Sequence, residues 1–237
     1  KWKIMKAVIC AAGDSKRMGK LTTPIPKPLL PLGKNLIIEN LLEAIAVEPV
    51  NEIIILTGYL SNQIKDKIGN NFKGIPVSYV LNPLYNSTNN MYSIYLVKDI
   101  VKEDMLFASG DVYVDATVGH KFIQNSQKNS ILVDDNQKYF DLKDPVKVAI
   151  AGNKITAIDK KLPKNRVSGV AIGMYKLSVA LSHEYFKIAE DFIRKGNLQY
   201  GYIEPIKVMI KRNKIEPFFI GKSNWFDIDT PEEYNQA

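Results

Sequence analysis

The chain has 237 residues, of which 46% are hydrophobic and 24% are charged. This composition is typical of globular proteins and excludes a disordered or collagen-like chain. The 32 Lys and Arg residues exceed the 25 Asp and Glu residues, and the net charge of +7 favours anionic ligands. Because the basic residues are scattered and no apolar run reaches membrane-spanning length, we expect neither a nucleic-acid partner nor membrane insertion. One cysteine and two histidines argue against a zinc site and favour a reducing, cytoplasmic location.

Strands are predicted to alternate with helices over the first 110 residues. Apolar runs at 4–11, 52–57, 76–81 and 105–108 predict buried strands. Apolar residues that recur every three or four positions predict helices at 35–48, 60–68 and 89–101. This alternation indicates an α/β fold whose sheet is parallel, carries helices on both faces and binds ligands at the carboxyl ends of its strands.

The pattern changes after a short strand at 131–133. Apolar runs at 146–150 and 155–158 flank Gly152 and Asn153 and predict a β-hairpin. Strands are predicted at 167–175 and 215–220, and helices at 178–195 and 202–210. No repeat or low-complexity linker interrupts the chain, so residues 1–237 are predicted to form one domain.

A glycine loop follows the first predicted strand. Residues 11–20 contain small side chains, two glycines and three cations, which is the composition of a phosphate-binding loop. Five residues separate Gly13 from Gly19, and this spacing excludes a P-loop. Ser15 takes the place of a glycine that the dinucleotide-binding fingerprint requires. Taken alone, the loop could equally be an ordinary surface turn.

Lys27 lies between Pro26 and Pro28, ten residues beyond Arg17. The prolines restrict the backbone, so the ammonium is presented rigidly and can stabilise charge that develops on a phosphate. Ala11-Ala12-Gly13 with Arg17, followed by Pro26-Lys27-Pro28-Leu29, resembles the signature of the nucleotidyltransferases that include the sugar-phosphate nucleotidylyltransferases.

The resemblance implies a Rossmann-like, mostly parallel mixed sheet flanked by helices, with a β-hairpin lid at the acceptor site. It also implies catalytic roles for two cations: Arg17 and the loop backbone hold a triphosphate, and Lys27 supports the transition state. Ser15 and Lys16 depart from the family pattern, which usually has a glycine and a small residue at these positions.

Acidic residues occur at two places that suit a metal site. Asp111 follows the strand at 105–108 and is expected to face the ligand crevice, although a turn-capping Asp is an alternative. Trp225-Phe226-Asp227-Ile228-Asp229 resembles the family's terminal motif. If residues 226–229 are extended, Asp227 and Asp229 share one face, and Asp229 or Thr230 then caps a helix that starts at Pro231. The resemblance implies that Asp111, Asp227 and Asp229 hold Mg²⁺, which prefers oxygen ligands.

The Asn-rich stretch 82–99 resembles the cytidylyltransferases for choline phosphate and aminoethylphosphonate. Residues 134–141 and 168–173 resemble the acceptor region of the same branch, where aromatic rings could attract a cation. The resemblance implies transfer of CMP from CTP to a small phosphorylated alcohol or phosphonate, with release of pyrophosphate. The expected acceptor contacts are Tyr139, Phe140, Asp141 and Gly169. The expected nucleotide contacts are Ala11, Ala12, Gly13, Asp14, Ser15, Lys16, Thr57, Gly58, Asn82, Asn90, Ser93 and Gly110.

Other functions stay open at this point. Inositol-phosphate and sugar-1-phosphate nucleotidylyltransferases that use CTP, UTP or dTTP share the loop and the carboxylates. A nucleotide-sensing protein without turnover is a third alternative, although a sensor has no need to keep Lys27, Asp111 and Asp227 together. We expect residues 1–133 to bind the nucleotide and residues 134–237 to bind the acceptor and complete the metal site, in a monomer or a homodimer.

Overall fold

A computed structural model describes residues 4–142 and 144–237. The strands are β1 Met5–Ala11, β2 Pro31–Leu32, β3 Asn35–Leu36, β4 Val50–Thr57, β5 Asn71–Phe72, β6 Ile75–Leu81, β7 Asp104–Ser109, β8 Val112–Val114, β9 Ser130–Asp134, β10 Lys147–Ala151, β11 Lys154–Asp159, β12 Gly169–Leu177, β13 Glu216–Phe219 and β14 Trp225–Asp227. The helices are α1 Ile37–Ile45, α2 Ser61–Ile68, α3 Asn90–Tyr95, α4 Ala116–Gln124, α5 Val179–Arg194, α6 Ile203–Met209 and α7 Pro231–Gln236.

The main sheet is mixed and mostly parallel at its centre, which confirms the predicted fold class. Its strand order is β11-β10-β12-β7-β1-β4-β6-β5, and β9 pairs with both β12 and β13. Strand β1 lies parallel to β4 and β7, whereas β12 runs antiparallel to β7. Strands β10 and β11 form the predicted hairpin. No helix in the described part of the chain is both long and apolar enough to span a membrane.

Two apolar layers cover the faces of this sheet. One layer packs Ile9 and Ile55 against Leu41 of α1 and Phe122 of α4. The other packs the opposite face against α3, α5 and α6, with Val8 at its centre. Because the central strands are buried on both faces, they form continuous apolar runs, and this is why their positions could be predicted from the sequence.

The predicted elements differ from the structure mainly between residues 89 and 124. The helix expected at 89–101 ends at Tyr95. Tight turns follow it, in which Val97 N–H donates to Ile94 O at 3.2 Å. Strand β8 and helix α4 were not predicted.

The carboxyl ends of β1, β4, β6 and β7 lie at one edge of the sheet, as parallel pairing requires. The glycine loop, Gly58, Asn82 and Asp111 follow these ends and therefore come together. Strand β14 adds the distant terminal motif, because it pairs with β8 in a register that places Asp227 opposite Val112. The topology thus brings residues from both halves of the chain to one edge.

Candidate active site

Lys27 is the centre of a charged cluster at this edge. Its ammonium donates to Asp111 Oδ2 at 2.8 Å, to Ile228 O at 2.8 Å and to Asp229 Oδ1 at 2.9 Å. Only 7% of the residue is exposed. Burial alone would lower the pKa of Lys27, but the charges and hydrogen bonds of Asp111 and Asp229 outweigh it and hold this pKa well above its usual value. The side chain is therefore a permanent cation, held by groups from three parts of the chain.

The carboxylates around Lys27 have unequal proton affinities. Burial would raise the pKa of Asp111, but the Lys27 charge and the hydrogen bonds from Lys27 and Ser109 lower it. Asp227 keeps solvent contact, yet the surrounding protein and the repulsion from Asp111 and Asp229 raise its pKa well above the usual value. A cation bound at the cluster would oppose this repulsion, since opposite charge favours the ionised form of a carboxyl group.

Asp229 is oriented from two sides. Its Oδ2 pairs with the Arg17 guanidinium at 2.8 Å, while 60% of the Arg17 side chain stays exposed. The Glu233 carboxylate accepts from the N–H groups of Asp229 and Thr230, both at 2.9 Å, and so fixes the backbone. Thr230 caps α7 and Pro231 is its first residue, as predicted. This capping box holds Asp229 at the start of the helix.

The glycine loop contains one residue other than glycine with a left-handed backbone conformation. Ser15 has a φ of 53°, in the left-handed region that glycine favours. The serine at this position therefore adopts a backbone conformation that glycine would adopt at lower cost. Lys16 pairs with Asp14 at 2.8 Å on the outside of the loop.

Three cavities meet at the cluster. The loop cavity, of about 360 Å³, is bounded by the glycine loop, Lys27, Gly110 and Asp111. The amide cavity, of about 140 Å³, lies beside Ala12, Asn82, Asn90 and Ser93. The aromatic cavity, of about 390 Å³, is lined by Asp227 and Asp229 of the cluster. Arg17 and Asp229 line both the loop cavity and the aromatic cavity, so these two share a boundary.

The amide groups of the second cavity also hold their own loop together. Asn82 is 1% exposed, and its Nδ2 donates to Thr88 Oγ1 at 3.0 Å and to Ser93 Oγ at 2.9 Å. Asn90 Oδ1 accepts from Tyr202 N–H at 2.7 Å, which links this cavity to the wall of the aromatic cavity. Burial and the Asp111 charge raise the pKa of the Cys10 thiol to about 12, so Cys10 forms a neutral wall.

Thr57 and Gly58 lie behind the cavities and do not line them. Thr57 is fully buried, and its carbonyl accepts from Asn82 N–H at 2.7 Å. A Cβ on Gly58 would come within 2.4 Å of Ala12 O and 2.6 Å of Tyr85 Cβ. Both residues therefore support the glycine loop and the Asn-rich loop from behind and do not offer a contact surface.

Of the four expected acceptor contacts, only Tyr139 lines the aromatic cavity. Phe140 is 9% exposed and packs into the core. Asp141 pairs with Lys164 at 2.7 Å on the surface. Gly169 lies within β12, where a Cβ would come within 2.5 Å of Val133. Phe140, Asp141 and Gly169 therefore do not line the cavity, because they face the core, the surface and the neighbouring strand β9, respectively.

Several cavity residues were not identified from the sequence as acceptor contacts. Trp225, Phe226 and Tyr202 form an aromatic wall with Tyr139, and Asp144 and Glu233 add negative charge. The spacing of Trp225 from Asp227 was a usable signal, because side chains two positions apart in an extended segment share one face.

The carboxylate cluster suits a divalent cation. Oxygen atoms of Asp111, Asp227 and Asp229 lie within 4.8 Å of one another, and they already attract two cationic side chains. Mg²⁺ prefers carboxylate oxygens and retains several waters, so three carboxylates at one open edge fit its requirements.

The comparisons with known proteins define the class. Residues 6–237 match the model of the family described as nucleotidyl transferase. The chain therefore belongs to the nucleotidyl transferase family, and the predicted resemblance is confirmed.

Its relatives include cytidylyltransferases. The chain is 31% identical over 114 residues to the CMP-5'-(3-aminopropyl)phosphonate synthase of Streptomyces rubellomurinus, a match that covers 48% of this chain and 18% of the relative. It is 39% identical over 98 residues to the choline-phosphate cytidylyltransferase of Streptococcus pneumoniae, with 40% of each chain covered. The matches thus span less than half of either relative. The inositol-1-phosphate CTP transferase of T. maritima superposes with a TM-score of 0.82 at 17% identity, covering 97% of this chain and 91% of the other, which shows the shared fold.

Two glycine substitutions distinguish residues that support the glycine loop from behind from residues of the loop itself. Gly58→Ala should lower the free energy of unfolding by about 1–3 kcal/mol, because the Ala12 backbone must move. Gly13→Ala should change stability by less than about 0.5 kcal/mol, since no atom lies within 4 Å of its Cβ position. We expect weaker nucleotide binding in both variants. Urea unfolding and equilibrium titration with a nucleoside triphosphate measure the two effects, and equal destabilisation by both substitutions would contradict the described packing.

Proposed function

We propose that this chain transfers CMP from CTP to a small acceptor with a phosphate or phosphonate at one end and a positive charge at the other. The observation that carries the proposal is the shared boundary of the loop cavity and the aromatic cavity at Arg17 and Asp229. Two substrates bound in these cavities can bring their phosphorus groups together there. The cytidylyltransferase relatives support CTP as the donor.

The transfer needs no protein nucleophile. A phosphate or phosphonate is already anionic near neutral pH, and its oxygen attacks the α-phosphorus of CTP in line. The new oxygen–phosphorus bond forms as the bond to the leaving pyrophosphate breaks, so positioning and charge neutralisation dominate catalysis. Lys27 and Arg17 supply positive charge beside the reacting phosphates. Mg²⁺, held by Asp111, Asp227 and Asp229, would neutralise further charge on the triphosphate.

The amide cavity is our proposed site for the base. Cytosine presents an amine donor and two acceptors along one edge, and hydroxyl, amide and backbone groups can pair with them. The Ser93 hydroxyl, the Asn90 amide and the backbone of Ala12 and Gly13 border this space. We assign Asn82 to holding the loop, because both of its amide hydrogens are already donated to Thr88 and Ser93.

The aromatic cavity supports a cationic acceptor. Four aromatic residues line it, namely Tyr139, Tyr202, Trp225 and Phe226. Four acidic residues also line it: Asp227, Glu233, Asp144, which pairs with Lys160, and Asp229, which pairs with Lys27 and Arg17. Among its described lining residues, Arg17 alone carries positive charge, and it lies at the boundary where an acceptor phosphate would sit. Aromatic faces attract cations by about 0.5–2 kcal/mol per contact. This wall suits an ammonium better than an uncharged polyol.

Pyrophosphate release tests the proposal. The protein is incubated with Mg²⁺, each of CTP, UTP, dTTP, ATP and GTP, and one of four acceptors: choline phosphate, 2-aminoethylphosphonate, inositol 1-phosphate or glucose 1-phosphate. We expect turnover with CTP and the two cationic acceptors. Their kcat/KM should exceed that of the uncharged acceptors by about tenfold or more, which corresponds to one or two cation–π contacts.

Other outcomes distinguish the alternatives. Turnover with inositol 1-phosphate or glucose 1-phosphate above that of the cationic acceptors would identify a polyol-phosphate or sugar-phosphate enzyme. Tight CTP binding without pyrophosphate release from any acceptor would favour the nucleotide sensor. Mass spectrometry of the product provides an independent check, because a true transfer links CMP to the acceptor phosphate.

A further inference from the structure

Asp134, at the end of β9, is a buried carboxylate for which the mechanism above has no use. It is 2% exposed. Its Oδ2 accepts from Trp225 Nε1–H at 2.8 Å, and its Oδ1 accepts from Asn136 N–H at 2.8 Å. A buried carboxylate is costly unless its hydrogen bonds are satisfied, and here each oxygen has one donor. Both donors belong to segments that build the aromatic cavity.

The two hydrogen bonds fix two aromatic side chains of that cavity. Trp225 is 5% exposed, lines the cavity and belongs to β14, which ends at Asp227 of the cluster. Asn136 caps the turn that presents Tyr139, since its Oδ1 accepts from Lys138 N–H at 3.2 Å. The Tyr139 and Trp225 rings lie 5.1 Å apart with an interplanar angle of 51°. Asp134 thus holds the Trp225 indole directly and supports the turn that carries Tyr139.

The charge of the Asp134 carboxylate also affects how strongly the Trp225 indole attracts a cation. A hydrogen bond from an N–H to an ionised acceptor is stronger than a neutral one and polarises its donor. An indole that donates to a carboxylate carries more electron density on its face. Cation–π attraction is electrostatic, so a more electron-rich face binds a cation more strongly.

We propose that Asp134 is a positioning residue that gives the acceptor cavity its preference for a positively charged head group, acting through Trp225. The inference rests on the proposed function, because it assigns selectivity for the acceptor within the same cavity. Asp134 does not touch the acceptor. It orients the indole and polarises it from behind.

The test compares two acceptors that differ only in charge. Choline phosphate has a quaternary nitrogen, and 3,3-dimethylbutyl phosphate has a carbon in its place, so their shapes match. Asp134→Asn keeps the shape of the side chain but turns an amide N–H toward one of the two donors. We expect the ratio of kcat/KM between the charged and the neutral acceptor to fall about 3- to 30-fold, the range of one cation–π contact. The KM for CTP should stay within about twofold.

Two further variants keep the test decisive. Asp135→Asn is the matched control, because Asp135 is the exposed neighbour and should leave the ratio unchanged. Trp225→Phe keeps an aromatic ring but removes the indole N–H, and it should lower the ratio even if Asp134→Asn fails to fold. In a Trp2→Phe background, where Trp225 is the single remaining tryptophan of the two in the sequence, choline phosphate should change the fluorescence of the parent and change it less in Asp134→Asn.

The outcomes separate the two proposals. A parent protein that does not prefer choline phosphate over its neutral analogue contradicts the cationic acceptor itself. A parent preference that survives unchanged in folded Asp134→Asn overturns the role of Asp134 alone, and so does one that survives in Trp225→Phe if Asp134→Asn does not fold. A uniform loss toward both acceptors would assign Asp134 a structural role and would also overturn the inference.

Discussion

Replacing Lys27 with methionine is expected to lower kcat by about 10²- to 10³-fold, the loss typical of one donor that stabilises transition-state charge. Methionine preserves much of the side-chain length but removes the ammonium that contacts Asp111 and Asp229 at 2.8 and 2.9 Å. We expect the Kd for CTP to rise less than about tenfold, because the proposed role of Lys27 lies in the transition state. Steady-state kinetics and equilibrium CTP titration measure the two quantities.

The same substitution should also destabilise the fold. Without the ammonium, two carboxylates with only 22% and 21% of their side chains exposed lose their shared cation. Removing one partner from a buried pair costs about 3–5 kcal/mol, and we expect the lower end because these carboxylates keep some solvent contact. Lys20→Met is the matched control, since Lys20 is an exposed lysine of the neighbouring glycine loop. Equal losses of kcat and CTP affinity in Lys27→Met would contradict a transition-state role.

Much of the fold could be predicted because its central strands are buried on both faces. Apolar runs such as β1 and β4 are short, continuous and bounded by glycine or polar residues. Burial, however, does not identify the backbone conformation. Val97 and Val101 continue the apolar spacing of α3 and are fully buried, yet they lie beyond the last helical residue. The apolar periodicity at 89–101 therefore predicted the buried residues correctly but predicted too long a helix.

Helix α4 was missed because its sequence contains a residue typical of helix ends. Gly119 lies in the middle of α4, where a Cβ would come within 2.2 Å of Ala44 O on α1. The glycine permits two helices to approach closely, a tertiary reason that the local sequence does not reveal. Strand β8 was missed because three residues are too few for a pattern, and its partner β14 lies more than 100 residues away.

The candidate site likewise has a part that local motifs predict and a part that depends on contacts between distant segments. The resemblance of the motifs to the family signature predicted that Lys27 would lie with Asp111, Asp227 and Asp229 at one site. The aromatic cavity could not be predicted in this way. Its key hydrogen bond joins Asp134 to Trp225 across 91 positions of sequence, and neither residue carries a local signal for the other. This contact depends on how β9 pairs with β12 and β13 and on how β14 pairs with β8, and only the folded chain defines these pairings.

Asp111→Asn is expected to give the second large loss, at least about 10²-fold in kcat at a fixed Mg²⁺ concentration. Asparagine keeps the shape of the side chain but removes one of three clustered carboxylate charges, and with it the charged partner of Lys27 at 2.8 Å. Loss of a residue that merely orients a metal ligand lowers metal affinity about 10- to 100-fold. Loss of a direct ligand should therefore raise the Mg²⁺ concentration for half-maximal rate by at least about tenfold.

Direct metal binding separates this role from simple damage to the Lys27 pair. Electron paramagnetic resonance of Mn²⁺, used as a probe for Mg²⁺, should show weaker binding in Asp111→Asn than in the parent. Asp99→Asn serves as the control, because that side chain is 83% exposed and lies outside the cluster. Lys27→Met sharpens the comparison, since it disrupts the same ion pair but retains all three carboxylates. If Asp111→Asn lowered kcat while both Mn²⁺ affinity and the Mg²⁺ midpoint stayed at parent values, Asp111 would act through Lys27 and not through a metal.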